Sequence, residues 1–154
     1  MSLDRIRLAS LHDKVMSAEQ AAQFIQDGMT VGMSGFTRAG EAKAVPLALV
    51  KQAQANPLKI TLITGASLGN DLDKQLTEAG VLARRLPFQV DNTLRKAINK
   101  GEVMFIDQHL SETVEQMRNQ QLKKPDVAVI EAVAITEDGG IVPTTSVGNS
   151  ASFA

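Results

Sequence analysis

The sequence predicts an α/β fold in which an open, mostly parallel sheet carries helices on both faces. The strongest observation is the β-branched run of residues 59–64, which proline and glycine bound on either side, as expected for a buried central strand. Further segments of strand character alternate along the chain with helical segments of about ten residues. The loops between them are short, and this combination is typical of a parallel sheet.

The first helix, strand and helix are defined by their ends. Ser17 can open a capping box, and apolar residues follow it at helical spacing, which predicts a helix over residues 17–27. Residues 29–34 then have the apolar character of a strand. Pro46 suits the first turn of a helix, where its missing N–H needs no partner, and it opens a helix over residues 47–55.

The alternation continues after the central strand. Residues 71–79 and 92–100 are predicted to be helices, and a glycine that can end the helix follows each of them. Asp73 lies near the start of the first of these helices and needs no role beyond favouring its N-terminus. Residues 82–87 and 103–106 are apolar enough to form strands, the first of them weakly.

The last third of the chain adds one more helix, a strand and a hairpin. Ser111 can cap a helix over residues 111–117, and a buried type of strand is predicted over residues 126–130. Residues 137–140 form the turn of a hairpin between two short apolar segments. The final residues 144–154 are rich in Ser, Gly and Asn, and we expect neither helix nor strand there.

Length and composition limit the classes of function. A length of 154 residues suits one domain over residues 1–154, and the proportions of 44% hydrophobic and 21% charged residues are ordinary for a chain that folds. A formal charge of −1 and only 3% aromatic residues make nucleic acid a poor partner. The chain has no cysteine and its two histidines lie far apart, so we expect no metal site. No membrane span or signal peptide is recognisable, and we expect a cytoplasmic protein.

Ligands of open α/β sheets bind at the carboxyl ends of the strands. The candidate binding loops are therefore those after Met33, Thr64 and Ile106. The glycines of residues 35–40 have the spacing of a P-loop. A Glu-Ala pair at residues 41–42 nevertheless stands where lysine and serine or threonine would hold phosphate and magnesium. An NTPase is therefore disfavoured.

The candidate binding residues in these loops are Ser34, Thr37 and Ser67. Their short hydroxyls can donate hydrogen bonds, while neighbouring glycines let the backbone approach an acyl or CoA group closely. The alternative is that these segments only make turns. Glu131 follows an apolar strand and could be functional or merely solvated. His109 is a lone histidine, which is more typical of a surface or core residue than of a functional one.

Several short blocks of sequence occur in a fixed order and with characteristic spacing. The blocks are VGMSGFT at 31–37, LITGAS at 62–67, PF at 87–88 with LR at 94–95, DQHLS at 107–111, VAVIEA at 127–132, and EDGGIVPT at 137–144 with SVGN at 146–149. Together they resemble the acetyl-CoA hydrolase/transferase family, and within it the bacterial succinyl-CoA:acetate CoA-transferases in particular. The resemblance runs from about Ile6 to the last residue.

The resemblance implies a two-domain enzyme in which a glutamate attacks an acyl-CoA thioester and CoA passes through a glutamyl-CoA thioester to a second carboxylate. It places the glutamate and most CoA contacts in a C-terminal domain beyond residue 154, so this chain would carry no catalytic residue and be inactive alone. It implies that coenzyme A is a substrate rather than a permanently bound cofactor, that acyl-CoA and small carboxylates are the ligands, and that the full-length enzyme is a homodimer. Acetyl-CoA hydrolysis, or a non-catalytic acyl- or CoA-binding module, remains the alternative.

The resemblance also assigns residues to a pocket for small carboxylates. They are Ser34, Gly35, Phe36 and Thr37 of the SGFT loop and Gly65, Ala66 and Ser67 of the GAS motif. Relatives tend to carry threonine shortly after the Pro-Phe pair, where this chain has Val90. The polarity of that wall, and with it the preferred acyl group, is therefore left open.

Overall fold

The computed structural model describes residues 3–69, 71–145 and 148–154. The strands are β1 Thr30–Met33, β2 Ile60–Thr64, β3 Leu82–Leu86, β4 Met104–Phe105, β5 Val127–Val129, β6 Ala132–Ile135 and β7 Ile141–Pro143. The first five form a sheet in the order β4-β3-β2-β1-β5, in which every neighbouring pair is parallel. A separate antiparallel pair, β6 and β7, forms the expected hairpin.

Helices cover both faces of the parallel sheet, which confirms the predicted fold class. The α-helices are α1 Ala18–Ala22, α2 Ala44–Ala55, α3 Leu72–Glu78, α4 Asn92–Asn99, α5 Leu110–Arg118 and α6 Ser150–Phe153. Two short 3₁₀ helices, Leu3–Arg5 and Ala9–Lys14, precede them. Helices α1–α4 contribute apolar side chains to the larger core on one face, whereas α5 and α6 contribute to a smaller core on the other.

The larger core is formed by alternate residues of the two central strands. Val31 and Met33 of β1 and Ile60 and Leu62 of β2 are fully buried against the four helices on this face. Burial of a side chain of this size stabilises the fold by about 1.5–3 kcal/mol. Residues two apart along each strand therefore form this core, because successive side chains of a strand point to opposite faces of the sheet.

Strand β3 contains one extra residue relative to β2. Leu82 pairs with Ile60, but the next residue of β2, Thr61, pairs with Arg84, so Ala83 is passed over. As a result Arg85 pairs with Leu62 and faces the larger core, which is unusual for a charged side chain.

The capping box at Ser17 is confirmed, but the helix after it is shorter than predicted. The N–H of Gln20 donates to the Ser17 hydroxyl at 3.1 Å, and the Ser17 N–H donates to the Gln20 side chain at 2.9 Å. The helix ends at Ala22 because the chain must turn towards β1. The carboxylate of Asp27, which we expected inside the helix, instead accepts the N–H of Lys59 at 2.7 Å.

The predicted cap of the fifth helix was wrong by two residues. Helix α5 begins at Leu110, and its N-cap is His109 rather than Ser111. The Nδ1 atom of His109 accepts the N–H of Ser111 at 3.4 Å and lies 2.7 Å from the Ser111 hydroxyl. Histidine is an infrequent cap, so the sequence favoured the serine.

The expectation that residues 144–154 lack regular structure was also wrong. Helix α6 forms within them, and its Phe153 is buried against β1. A β-carbon on Gly32 would lie only 2.7 Å from Cγ of Phe153, so the ring occupies the space that a side chain at residue 32 would fill. Ser146 and Val147, which belong to the last block of the family resemblance, lie outside the described residues.

Candidate functional site

A cleft of about 270 Å³ lies at the carboxyl edge of the sheet, where the loops after β1, β2 and β3 meet. This is the edge at which open α/β sheets bind ligands. Three of the residues predicted to bind substrate share the cleft, one from each loop. Its lining includes Thr37, Arg38, Ser67, Gly69, Val90 and Asp91.

The three predicted hydroxyls differ in what they contact. The Ser34 side chain is buried, donates to the carbonyl of Gly40 at 2.7 Å and accepts the N–H of Glu131 at 2.8 Å. The Thr37 hydroxyl donates to the adjacent carbonyl of Phe36 at 2.6 Å. Ser34 therefore acts as a structural link between the loop after β1 and the end of β5, and its proton is not directed at a ligand.

Ser67 differs from Ser34 and Thr37 in what its hydroxyl contacts. Ser67 is only 1% exposed, yet it contributes to the lining of the cleft. Within the described ranges the Ser67 hydroxyl makes no hydrogen bond. Its backbone carbonyl, by contrast, accepts the N–H of Thr37 at 3.0 Å, which ties the first two loops together. A small donor at the bottom of a cleft suits recognition of a carboxylate oxygen.

Apolar side chains stand at the outer edge of this site. Val90 lines the cleft from the loop after β3 and is 54% exposed. Phe36 is also exposed, and its backbone makes a tight reverse turn with Ala39 through hydrogen bonds of 2.9 and 3.2 Å. Exposed apolar groups beside a polar cleft are typical of a surface that meets a ligand or another part of a protein.

Gly65, another residue of the predicted pocket, lies where two stretches of backbone approach closely. A β-carbon on Gly65 would lie 2.5 Å from the carbonyl oxygen of Gly35. The side chain of Asn149 donates to the carbonyl of Thr64 at 3.1 Å, which holds the C-terminal segment against the same loop. Glycine at residue 65 is thus required by a close approach of backbones rather than by a turn alone.

Two residues other than glycine adopt the left-handed conformation beside the cleft. Thr37 has a φ of 59° and Asp71 a φ of 61°. Such a conformation costs about 1–2 kcal/mol for an ordinary residue, and most for a β-branched one such as threonine. Backbone strain of this kind is concentrated at functional sites, which favours the cleft as the candidate functional site.

Glu131 forms a second polar cluster, between the ends of β1 and β5 where the strand order reverses. Lys43 donates to its carboxylate at 2.9 Å, and the Thr144 hydroxyl donates at 2.8 Å. The Lys43 hydrogen bond holds the pKa of Glu131 below its ordinary value of 4.5, Thr144 acts in the same direction, and partial burial opposes both. Glu131 is therefore a paired, ionised carboxylate at neutral pH, which is unsuited to donating a proton.

The sequence interpretation missed an ion pair beneath the cleft. Asp73, which was expected only to favour the start of a helix, is buried and pairs with Arg85 at 2.9 Å. An arginine inside an otherwise apolar strand was the available signal, because a buried guanidinium requires a partner. The sequence did not reveal which arginine of β3 faces inward.

The described residues include neither a metal-binding cluster nor a membrane-spanning helix. No group of three or more histidine, aspartate or glutamate side chains suited to a metal ion is present among residues 3–69, 71–145 and 148–154. In the part of the chain that the structure describes, none of the helices has the length and apolar character to cross a membrane.

The sequence matches a known family over almost its whole length. The model of the acetyl-CoA hydrolase/transferase N-terminal domain matches residues 2–154. A succinyl-CoA:acetate CoA-transferase of Clostridium kluyveri is 45% identical over 97% of this chain and 28% of the relative. A propanoyl-CoA:succinate CoA transferase of Escherichia coli is 41% identical over 88% of this chain and 28% of the relative. An acetyl-CoA hydrolase of Kluyveromyces lactis is 40% identical over 97% and 31%.

Solved structures share the fold at lower identity. Glutaconate coenzyme A-transferase from Acidaminococcus fermentans aligns with a TM-score of 0.55 and 20% identity, over 71% of this chain and 37% of that one. An acyl-CoA transferase of Escherichia coli O157:H7, in a thioester complex with CoA, aligns with a TM-score of 0.53 and 16% identity, over 68% and 22%. The chain thus spans less than a third of the length of the three relatives named above.

Proposed function

Since this chain belongs to the acetyl-CoA hydrolase/transferase family, we propose that it is the N-terminal part of an acyl-CoA:carboxylate CoA-transferase that acts on acetyl-CoA or succinyl-CoA with acetate or succinate. Coenzyme A is a substrate in this proposal, not a resident cofactor. The rest of the enzyme, including the nucleophilic glutamate, is supplied by a C-terminal domain, and the assembled enzyme is a homodimer.

The observation that carries the proposal is the cleft that brings Thr37, Ser67 and Val90 together at the carboxyl edge of the sheet. These three residues come from separate loops and were all assigned to one carboxylate pocket by the family resemblance. Their meeting in one cleft supports the assignment, because the wall of a pocket requires residues that line the same cavity.

In the proposed reaction the glutamate carboxylate attacks the thioester carbonyl and CoA thiolate leaves, which gives an acyl-glutamyl anhydride. The thiolate then attacks the glutamyl carbon of the anhydride, releases the first carboxylate and leaves a glutamyl-CoA thioester. A second carboxylate reverses these steps and departs as its own CoA thioester.

In this scheme the present chain holds the small carboxylate and the acyl end of the anhydride. The Ser67 hydroxyl donates a hydrogen bond to a carboxylate or anhydride oxygen, and a bond to a charged group contributes about 1.5–3 kcal/mol. Val90 contacts the acyl chain, and Thr37 supports the loop around Ser67 through its backbone.

Net hydrolysis of acetyl-CoA is the second candidate, because relatives named acetyl-CoA hydrolase match this chain at identities similar to those of the transferases. In hydrolysis, water rather than an acceptor carboxylate takes the acyl group. Both reactions use the same anhydride, so the loops described here serve either.

The test joins this chain to its C-terminal domain in one enzyme and supplies succinyl-CoA with acetate. We expect acetyl-CoA to accumulate, and we expect the protein to gain the mass of CoA when the acceptor is omitted. Release of free CoA at the same rate with and without acetate would support the hydrolase instead. The chain without the C-terminal domain is expected to show no turnover, and acetyl-CoA formation by this chain alone would contradict the division of roles.

A further inference from the structure

The ion pair of Arg85 and Asp73 lies entirely inside the domain, with side chains 0% and 1% exposed. It is bidentate: Nε of Arg85 donates to Oδ1 of Asp73 at 2.9 Å, and Nη2 donates to Oδ2 at 3.2 Å. The third guanidinium nitrogen, Nη1, donates to the carbonyl of Leu86 at 2.6 Å. The pair thus joins α3 to β3, and Asp73 also contributes to the lining of the cleft.

The same two side chains also hold the loop after β2, at the residues on either side of Ser67. Nη2 of Arg85 donates to the carbonyl of Ala66 at 3.0 Å, and the N–H of Leu68 donates to Oδ2 of Asp73 at 2.9 Å. The peptide units before and after Ser67 are therefore each fixed by a charged, buried partner. Hydrogen bonds to charged groups are shorter and stronger than neutral ones, so the backbone of Ser67 is held firmly.

Stability alone does not account for this arrangement. A buried ion pair is frequently no more stabilising than apolar side chains of the same volume, because both charges lose their hydration. What an apolar pair would lack here is the two hydrogen bonds to residues 66 and 68. Those bonds end beside Ser67, a residue whose own hydroxyl has no hydrogen bond in the described ranges.

We propose that Arg85 and Asp73 are the positioning residues of the substrate site: they fix the loop on both sides of Ser67 and so aim its hydroxyl into the cleft. This inference rests on the proposed function, since Ser67 must contact the substrate for its position to matter. Binding groups that are held to within a fraction of an ångström are far more effective than mobile ones.

The test uses the enzyme that contains both domains. It compares two variants of the ion pair with one control variant. Asp73→Asn removes the charge and retains one acceptor oxygen. Because breaking a buried pair can prevent folding, the second variant is the apolar pair D73L/R85M, which is expected to fold because it leaves no uncompensated charge. Glu115→Gln, which removes the exposed pair with Arg118 on α5, is the matched control.

We expect Asp73→Asn and D73L/R85M each to lower kcat/KM by about ten- to a hundredfold, the loss typical of a misplaced binding group. The amide hydrogen of Leu68, which donates to Asp73, should exchange at least about tenfold faster, while Glu115→Gln changes neither kcat/KM nor this exchange. In a Ser67→Ala background, the same changes at the pair should lower kcat/KM by less than about twofold, because their effect acts through Ser67.

Equal losses with Ser67 present and in the Ser67→Ala background would overturn the inference and leave the pair a structural feature. Unchanged kcat/KM in the stable D73L/R85M enzyme would overturn it as well. Failure of the proposed function is recognised separately, because the unmodified enzyme would then transfer no CoA. In that case unchanged amide exchange at Leu68 in D73L/R85M would still refute the positioning role, and faster exchange would support it.

Discussion

Gly65 and Gly148 are in backbone contact: a β-carbon on Gly148 would lie 2.8 Å from the Cα atom of Gly65. Gly148 also has a φ of 47°, which disfavours a side chain there. The contact joins the loop after β2, which carries Ser67, to the segment that precedes α6. One wall of the candidate site thus depends on two distant parts of the sequence that can meet only where side chains are absent.

Gly65→Ala is expected to destabilise the protein by about 2–3 kcal/mol, because its β-carbon would lie 2.5 Å from the Gly35 carbonyl oxygen. Urea unfolding measures the change. Gly101→Ala is the control: its φ of 75° is unfavourable for alanine, but no atom lies within 4 Å of the new β-carbon, so we expect a cost of about 1 kcal/mol. A smaller loss for Gly65→Ala than for the control would contradict the contact.

Ser67→Ala is expected to lower kcat/KM of the two-domain enzyme by about ten- to a hundredfold, the equivalent of one hydrogen bond to a charged group. The melting temperature should change little, because the Ser67 hydroxyl makes no hydrogen bond in the described ranges. Steady-state rates with acetate and with a longer carboxylate provide the measurement. Unchanged kcat/KM for both acceptors would remove Ser67 from the site.

Ser34→Ala should lower the stability of the protein and leave KM nearly unchanged, the reverse of the result expected for Ser67→Ala. The change leaves the buried carbonyl of Gly40 and the N–H of Glu131 without their hydroxyl partner, and we expect a loss of about 1–3 kcal/mol in the free energy of unfolding. Under conditions in which the variant is folded, its KM should stay within about twofold of the original, since Ser34 does not line the cleft. A stable protein with a greatly raised KM would show that Ser34 contacts substrate.

Val90→Thr tests the side of the cleft that departs from the relatives. A hydroxyl on this wall should make the enzyme more selective for acetate. We expect kcat/KM for acetate, divided by kcat/KM for a longer, apolar carboxylate, to rise by about three- to tenfold. Stability should not change, because Val90 is 54% exposed. Val142→Thr on β7, another exposed valine outside the cleft, is the control, and an equal shift in that variant would argue against contact between Val90 and the acyl chain.

Glu131 should make stability depend on pH in a predictable direction. Its folded pKa is lowered by Lys43, so the stabilisation is present above the ordinary pKa of 4.5 and is lost as the pH falls through the folded pKa. Glu131→Gln should cost about 0.5–1 kcal/mol at pH 7, since the side chain is 31% exposed, and progressively less below pH 4.5. Unfolding at several pH values measures this difference. Glu137→Gln, which removes an exposed pair of 3.7 Å, should show no such trend.

The sequence was sufficient for the features that local patterns determine. The β-branched residues of β2 and the capping box at Ser17 are decided by neighbours in sequence, and both were predicted. The meeting of Thr37 with Ser67 followed from the rule that ligands bind at the carboxyl edge of a sheet. The roles of these side chains in binding remain predictions.

What the sequence did not reveal depends on distant contacts. Helix α6 forms where the ring of Phe153 packs over Gly32, and no local propensity reports such a contact. Arg38 lines the cleft because Gly69 allows its side chain to lie close, which likewise requires two loops to meet. The inward direction of Arg85 depends on the extra residue in β3, and a single residue shifts every later side chain of a strand to the other face.

That extra residue gives β3 an unequal tolerance to deletions and insertions. Deleting Ala83 would give a regular ladder in which Arg84 still pairs with Thr61 and Arg85 with Leu62, so Arg85 would still face Asp73. One residue inserted between Arg84 and Arg85, with the earlier pairing kept, would instead turn Arg85 to the other face and leave two buried charges unpaired. Among homologous sequences, single deletions before Arg85 in this strand should therefore be tolerated, whereas insertions there should be rare.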